Sequence, residues 1–252
     1  MELHRKTIVI GDIHGSQCWE EIVAKHPDAQ YVFLGDYCDP YLDSLTPEKT
    51  IKNLQDIILF KQHHSDDVVL LMGNHDIHYI YPNVPICSRL MVNNYIELNR
   101  LFKENIGLFC NAFQLGQLLF THAGVSEEWF NHAQLQKYGD ITHQLNSHEE
   151  HKEVFDCGAR RGGHSPYSGI FWADSSEMRN PLQGFVQVVG HTRMEQIEIL
   201  KKSDDTAVIF NDSLWNEQYV IIERGEESTR IYATSILSDK LSEPIFEFSN
   251  KG

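Results

Sequence analysis

Asp12 and His14, Asp36, the triplet Asn74-His75-Asp76, His122 and His191 each stand just after a short apolar run. The runs cover residues 7–10, 31–34, 68–72, 118–121 and 185–189. The side chains gathered this way are carboxylates, imidazoles and one carboxamide, with no thiolate. That set suits Mn²⁺, Fe, Zn²⁺ or Mg²⁺ better than a structural zinc site. Ligands at the carboxyl ends of strands meet readily, because α/β folds assemble sites along that edge. Asp12 and His14 are two residues apart, so an extended backbone would point both the same way. Neighbouring glycines, among them Gly11, Gly35, Gly73 and Gly190, allow sharp turns and close backbone approach.

The elements that must position these residues repeat one pattern. An apolar β-type run ends in glycine and polar residues, and a helix-like segment follows. Continuous apolar runs suggest strands buried on both faces. After the second run Thr46 can cap a helix, Pro47 suits its first position, and Ile51, Leu54 and Ile58 recur at helical spacing. Strand, helix, strand implies a parallel pair with a crossover. Residues 88–103 read as a further helix. His63 and His64 fall where a helix would finish. Past residue 200 the chain turns to β-type segments at 207–210, 219–222 and 230–233, the last two joined by a hairpin at 225–228. Residues 126–170 differ. They are polar, carry five histidines and end in Arg160-Arg161-Gly162-Gly163, which reads as an insertion or lid in a single 1–252 domain.

Composition narrows the partners. The 252 residues are 41% hydrophobic and 23% charged, enough to bury a core. Asp and Glu number 36 against 21 Lys and Arg, a formal net charge of −15. Such a surface repels nucleic acid and anionic membranes, so neither is expected as a partner. Five scattered cysteines without a CxxC pair suggest reduced thiols and a cytoplasmic setting. No stretch resembles a signal peptide or a membrane span.

The blocks GDIHG (11–15), GDYCD (35–39), GNHD (73–76), THAG (121–124) and GHT (190–192) together resemble the calcineurin-like metallophosphoesterase superfamily, most closely its protein-phosphatase-like bacterial branch. The resemblance implies an α/β four-layer sandwich, with two mixed central β-sheets flanked by helices. It also implies two divalent metal ions, Mn²⁺ first, with Fe, Zn²⁺ and Mg²⁺ as other candidates. One ion would be held by Asp12, His14 and Asp36, the other by Asp36, Asn74, His122 and His191, with Asp36 bridging. By the same resemblance a metal-bridging hydroxide attacks phosphorus and His75 protonates the leaving oxygen. Asp39 is its expected orienting partner, with Asp76 as the local competitor. Four positive charges from two ions, less two carboxylates and a hydroxide, leave a pocket that holds phosphate within an acidic molecule.

Two departures bear on the substrate. The protein-phosphatase-like branch follows GDxxD with Arg-Gly, and that Arg clamps phosphate. Here Pro40 and Tyr41 stand instead. Asn74 with Arg161, Arg160 or Arg193 is the candidate phosphate-binding set, Arg161 foremost because its glycine neighbours could fold a loop over the site. Where other branches place a second histidine after GHT, this chain has Arg193. Phe171-Trp172-Ala173-Asp174 resembles the Leu-Trp-x-Asp segment of the phosphatase branch. The expected function is hydrolysis of a phosphomonoester, with a Ser/Thr protein phosphatase among its forms. A symmetric dinucleoside tetraphosphatase-like nucleotide hydrolase is the alternative. A non-catalytic scaffold fits less well, because such a protein would have lost ligands.

Overall fold

The apolar runs become the central strands of two sheets. A computed structural model describes residues 5–136, 141–147, 151–238 and 240–250. The first sheet contains β1 (Thr7–Ile10), β2 (Gln30–Phe33), β3 (Val68–Leu71) and β4 (Phe109–Cys110) in parallel. The second holds β5 (Ala112–Leu115), β6 (Leu118–Thr121), β7 (Val186–Arg193), β8 (Glu198–Lys201) and β9 (Ala207–Asp212), in the order β5-β6-β7-β9-β8. β10 (Gln218–Arg224), β11 (Ser228–Ser235) and β12 (Phe246–Ser249) return to extend the first sheet antiparallel, giving β12-β11-β10-β1-β2-β3-β4. Both sheets are therefore mixed, as expected.

Strand alternation divides the core. Val9, Val32, Leu34 and Leu71 point from the first sheet to meet Leu118, Phe120, Val186, Val188 and Ile209 of the second. Ile8, Ile10 and Phe33 face the other way, onto helices α1 (Cys18–Lys25) and α2 (Pro47–His63). Fully burying each such side chain is worth about 1.5–3 kcal/mol, so the sandwich supplies a rigid base for its loops. α2 starts as the sequence predicts: Thr46 accepts from the Lys49 N–H and Pro47 opens the helix. The outer face of the second sheet is covered by Ala173 and Met178, the latter in a 3₁₀ turn at Glu177–Arg179.

Three expectations change. The helix expected over 88–103 begins later: a 3₁₀ turn at Val92–Asn94 leads into α4 (Tyr95–Glu104), after the single-turn α3 (Asn74–Ile77). Asn93 and Asn94 are weak helix formers that favour turns. The 126–170 segment is not merely polar. Through α5 (Glu127–His132) and α6 (Thr142–Asn146) it buries Trp129, Phe130 and Leu145 in the same core cluster as α1 and α2. Residues 137–140 and 148–150 of that segment lie outside the described residues. Four strands went unread: β4, β5, β8 and β12. β4 has only two residues and β8 is an exposed edge strand.

Candidate metal centre

The predicted ligands converge at one edge of the sandwich, beyond the ends of β1, β2, β3 and β6 and within the bulged end of β7. They do so on backbone that is uncommon for residues other than glycine. His14, Asp36, Asp39 and His191 all adopt left-handed φ, between 43° and 63°. For residues other than glycine such conformations cost free energy and concentrate at functional sites. The expected extended path from Asp12 to His14 is thus replaced by a turn, held by N–H donation from Ile13 and His14 to the carbonyls of Gly35 and Asp36. At β7 the pairing register with β9 shifts between Val189 and Arg193, a bulge that re-aims His191. Two glycines allow close approach: a Cβ at Gly190 would collide with Asp12 Oδ1, and one at Gly73 with Asp36 Oδ1.

The donor atoms form two groups that share one carboxylate. Ligand atoms of Asp12, His14 and Asp36 all lie within 4.8 Å of one another. On the other side Asn74 Oδ1 is 2.7 Å from His122 Nε2 and 2.8 Å from His191 Nδ1. Asp36 faces both groups, with Oδ2 3.6 Å from His14 Nε2 and Oδ1 3.5 Å from His122 Nε2. Its Oδ1 also accepts from the His75 N–H at 2.8 Å.

Protonation makes the case for cations. His122 Nδ1 donates to the Leu34 carbonyl at 2.8 Å, and His14 Nδ1 to that of Cys38 at 2.9 Å. Burial pushes both imidazoles down to about 3, with His75 adding to the effect at each, so they are neutral near pH 7. A neutral His122 with its proton on Nδ1 carries a lone pair at Nε2, aimed at the carbonyl oxygen of Asn74. That oxygen is fixed in turn, since Asn74 Nδ2 donates to Cys87 Sγ at 3.0 Å. Two acceptors face each other, and a cation between them resolves the arrangement. Burial also lowers His191 well below the ordinary imidazole range, and its Nε2 has no hydrogen-bond partner among the described residues. Asp12 and Asp36 are pushed well up, chiefly by burial, with Asp212 and Asp76 as the largest charged contributors respectively. Buried carboxylates of this kind are stabilised by a bound cation. The donor set therefore fits divalent metal, with backbone carbonyls holding His14 and His122 in the tautomer that a metal would require.

His75, the second residue of α3, stands beside this centre. Its Nδ1 lies 2.8 Å from Asp39 Oδ2, which leaves Nε2 available at the cavity. Burial alone would raise Asp39, but hydrogen bonds from His75, His78 and Tyr79 outweigh it and hold the carboxyl below its usual range. Asp76 is placed differently from the competing expectation. Its carboxylate accepts from the backbone N–H groups of Asp36, Tyr37 and Gly73 at 2.8–2.9 Å, so it ties two ligand loops together instead of orienting His75. Burial pushes it up to about 7.

The three arginines separate. Arg161 lines the cavity, donates from Nη2 to Thr192 Oγ1 at 2.9 Å and pairs through Nε with Asp174 Oδ2 at 3.3 Å. Arg193 also lines the cavity, whereas Arg160 is exposed and does not. The Trp172-Ala173-Asp174 segment takes part directly, since Trp172 is a wall residue and Asp174 holds Arg161. The reading from sequence missed Asp212, a buried carboxylate on the same cavity that burial pushes up to about 6. It ends β9 in Asn211-Asp212, the same grammar as the other ligands but without the glycine.

Comparison with known proteins agrees with this geometry. A Caenorhabditis elegans protein provisionally named a serine/threonine-protein phosphatase is 31% identical over 157 residues, covering 58% of this chain and 33% of its own length. The chain thus spans about a third of that relative. A serine/threonine phosphatase structure from Saccharomyces cerevisiae, described as similar to human phosphatase PP5, superposes with a TM-score of 0.53 at 13% identity. It covers 96% of this chain and 84% of that one, a likeness of fold. No helix among the described residues is long and apolar enough to cross a membrane. The family model for calcineurin-like phosphoesterases matches residues 5–220, and with that match the chain belongs to this family of metal-dependent phosphoester hydrolases.

Proposed function

We propose that the protein is a dinuclear phosphomonoesterase, with Mn²⁺ as its leading metal. The observation that carries the reading is Asp36, whose two oxygens face the two donor groups while its Oδ1 also fixes the backbone of His75. Asp12, His14 and Asp36 would hold one ion, and Asp36, Asn74, His122 and His191 the other. Bound there, two divalent ions supply Lewis acidity for the phosphoryl group and acidify water near neutral pH.

The chain's own residues do the remainder. Arg161, aimed by Asp174 and Thr192, binds the non-bridging phosphoryl oxygens and so takes the place of the clamp missing at Pro40-Tyr41. Asn74 orients the same group. As the bond from phosphorus to the leaving oxygen breaks, His75 delivers a proton to that oxygen from Nε2, while Asp39 keeps the ring in place through Nδ1. The products are inorganic phosphate and an alcohol. A serine or threonine side chain is one such alcohol, and a phosphoprotein would then be the substrate.

Hydrolysis of para-nitrophenyl phosphate with added Mn²⁺, stopped by a chelator, tests the reading. Arg161→Ala should raise the inhibition constant of inorganic phosphate by about tenfold, the effect of losing one charge-assisted contact. An unchanged constant would remove Arg161 from phosphate binding.

A further inference from the structure

The cavity over the donor groups has room for more than a phosphate. Its volume is about 910 Å³. Away from the ligands its wall is built from Tyr41, Leu42, Ile86, Leu214 and Trp215, with Arg193 among them. Four of these leave large apolar side chains in solvent: Tyr41 is 39% exposed, Leu42 63%, Ile86 73% and Trp215 49%. Single exposed apolar residues need no explanation. Four around one cavity, beside a charged centre, mark a place where a ligand buries apolar surface.

This wall is continuous with the chemistry. The Tyr41 ring meets the His14 ring edge-on at 4.7 Å and stands 6.2 Å from the ring of His75. The Arg193 guanidinium lies 5.9 Å from the Tyr41 ring and 4.3 Å over the indole of Trp215. His75, Tyr41, Arg193 and Trp215 therefore form a row leading outward from the group assigned to protonate the leaving oxygen. A leaving group that departs past His75 meets Tyr41 first, then the guanidinium plane backed by Trp215. Aromatic faces and a planar cation favour a flat π-system over an alkyl chain.

We propose that this row is a leaving-group subsite for a planar aromatic ring. The preferred substrates are then phosphomonoesters whose alcohol carries such a ring, a nucleoside or an aryl alcohol. This rests on the phosphomonoesterase reading above. The acidic surface agrees with it, since a small ring-bearing phosphate brings no acidic flanks, unlike many phosphopeptides.

Two matched substrate pairs test the subsite. Adenosine 5′-monophosphate and ribose 5-phosphate share a primary-alcohol leaving group and differ in the base. Phenethyl phosphate and n-butyl phosphate repeat the contrast without a ribose. In the Mn²⁺-loaded protein the ring-bearing member should be favoured about tenfold through KM, and Trp215→Ala should remove most of that ratio. An advantage confined to the first pair identifies a nucleoside, and an advantage in both pairs identifies a general aryl site. A binding readout runs in parallel. Trp172 and Trp215 both line the cavity while Trp19 and Trp129 are buried away from it, so adenosine 5′-monophosphate should quench indole fluorescence in a way that Trp215→Ala removes, and ribose 5-phosphate should not. Equal KM values within both pairs, or equal quenching, overturn the subsite while hydrolysis of ribose 5-phosphate still upholds the enzyme. Failure to hydrolyse any of the four compounds strikes the phosphomonoesterase reading instead, and the quenching titration then decides the subsite alone.

Discussion

Replacing His75 with asparagine should leave two metal ions bound and reduce turnover of an alkyl phosphate by about 10²–10⁴-fold. The size follows from the role. An alkoxide is a poor leaving group, so removing its proton donor costs the full contribution of general acid catalysis. A para-nitrophenolate leaves without help, so the same variant should lose far less activity on para-nitrophenyl phosphate. The contrast between the two substrates separates an acid from a residue that merely supports the loop. Asp39→Asn is expected to fall between the wild type and His75→Asn on the alkyl phosphate, because Asp39 acts through the Nδ1 contact at 2.8 Å. Equal losses for His75→Asn on both substrates would remove it as the acid.

Asp36→Asn should have the largest effect on the metal centre. Asp36 is 2% exposed and faces the imidazoles of His14 and His122 through its two different oxygens. An amide there has one oxygen donor in place of two and no charge to offset two dications. Elemental analysis should show loss of at least one ion per chain, and activity should fall at least as far as in His75→Asn. A thermal-shift series adds a second readout. Ions that bind only the folded state raise the melting temperature by mass action, so Mn²⁺ should stabilise the wild type and should stabilise Asp36→Asn much less. Full two-ion occupancy in the variant would contradict the bridging role.

Much of this site was legible because each ligand ends an apolar run. Buried parallel strands need continuous apolar sequence, and the polar residue after each run had to lie at the sheet edge. What could not be read is how the backbone turns there. The left-handed φ at His14, Asp36 and His191 is uncommon for any residue but glycine, and although Asp and His adopt it more readily than most, nothing in the local sequence singles out these positions. Asp39 and Asp76 show the same limit. Both are carboxylates close in sequence to the site, and only the three backbone N–H groups around Asp76 reveal that its charge is committed elsewhere. Arg160 and Arg161 are adjacent and alike in type, yet the 3₁₀ turn at Ala159–Arg161 sends one outward and the other into the cavity. Edge strands escaped for a different reason. In β12 the alternation Phe-Glu-Phe-Ser is a half-buried strand pattern, but four residues beyond a loop give a weak signal until β11 is there to pair with them.

The excess of 36 acidic residues over 21 basic ones also takes on a narrower meaning. Several of those acids are gathered in one place: Asp12, Asp36 and Asp212 line one cavity. Their charge is what a pair of dications would neutralise, and Arg161 and Arg193 add two further positive charges to the same cavity.

The most direct test is a metal titration of chelator-treated protein, following bound metal and hydrolysis of para-nitrophenyl phosphate in the same samples. No turnover is expected without metal, little with one equivalent of Mn²⁺, and full activity as the second equivalent binds. Turnover in the metal-free protein, or two bound equivalents with no hydrolysis of any phosphomonoester, would contradict the dinuclear phosphomonoesterase reading.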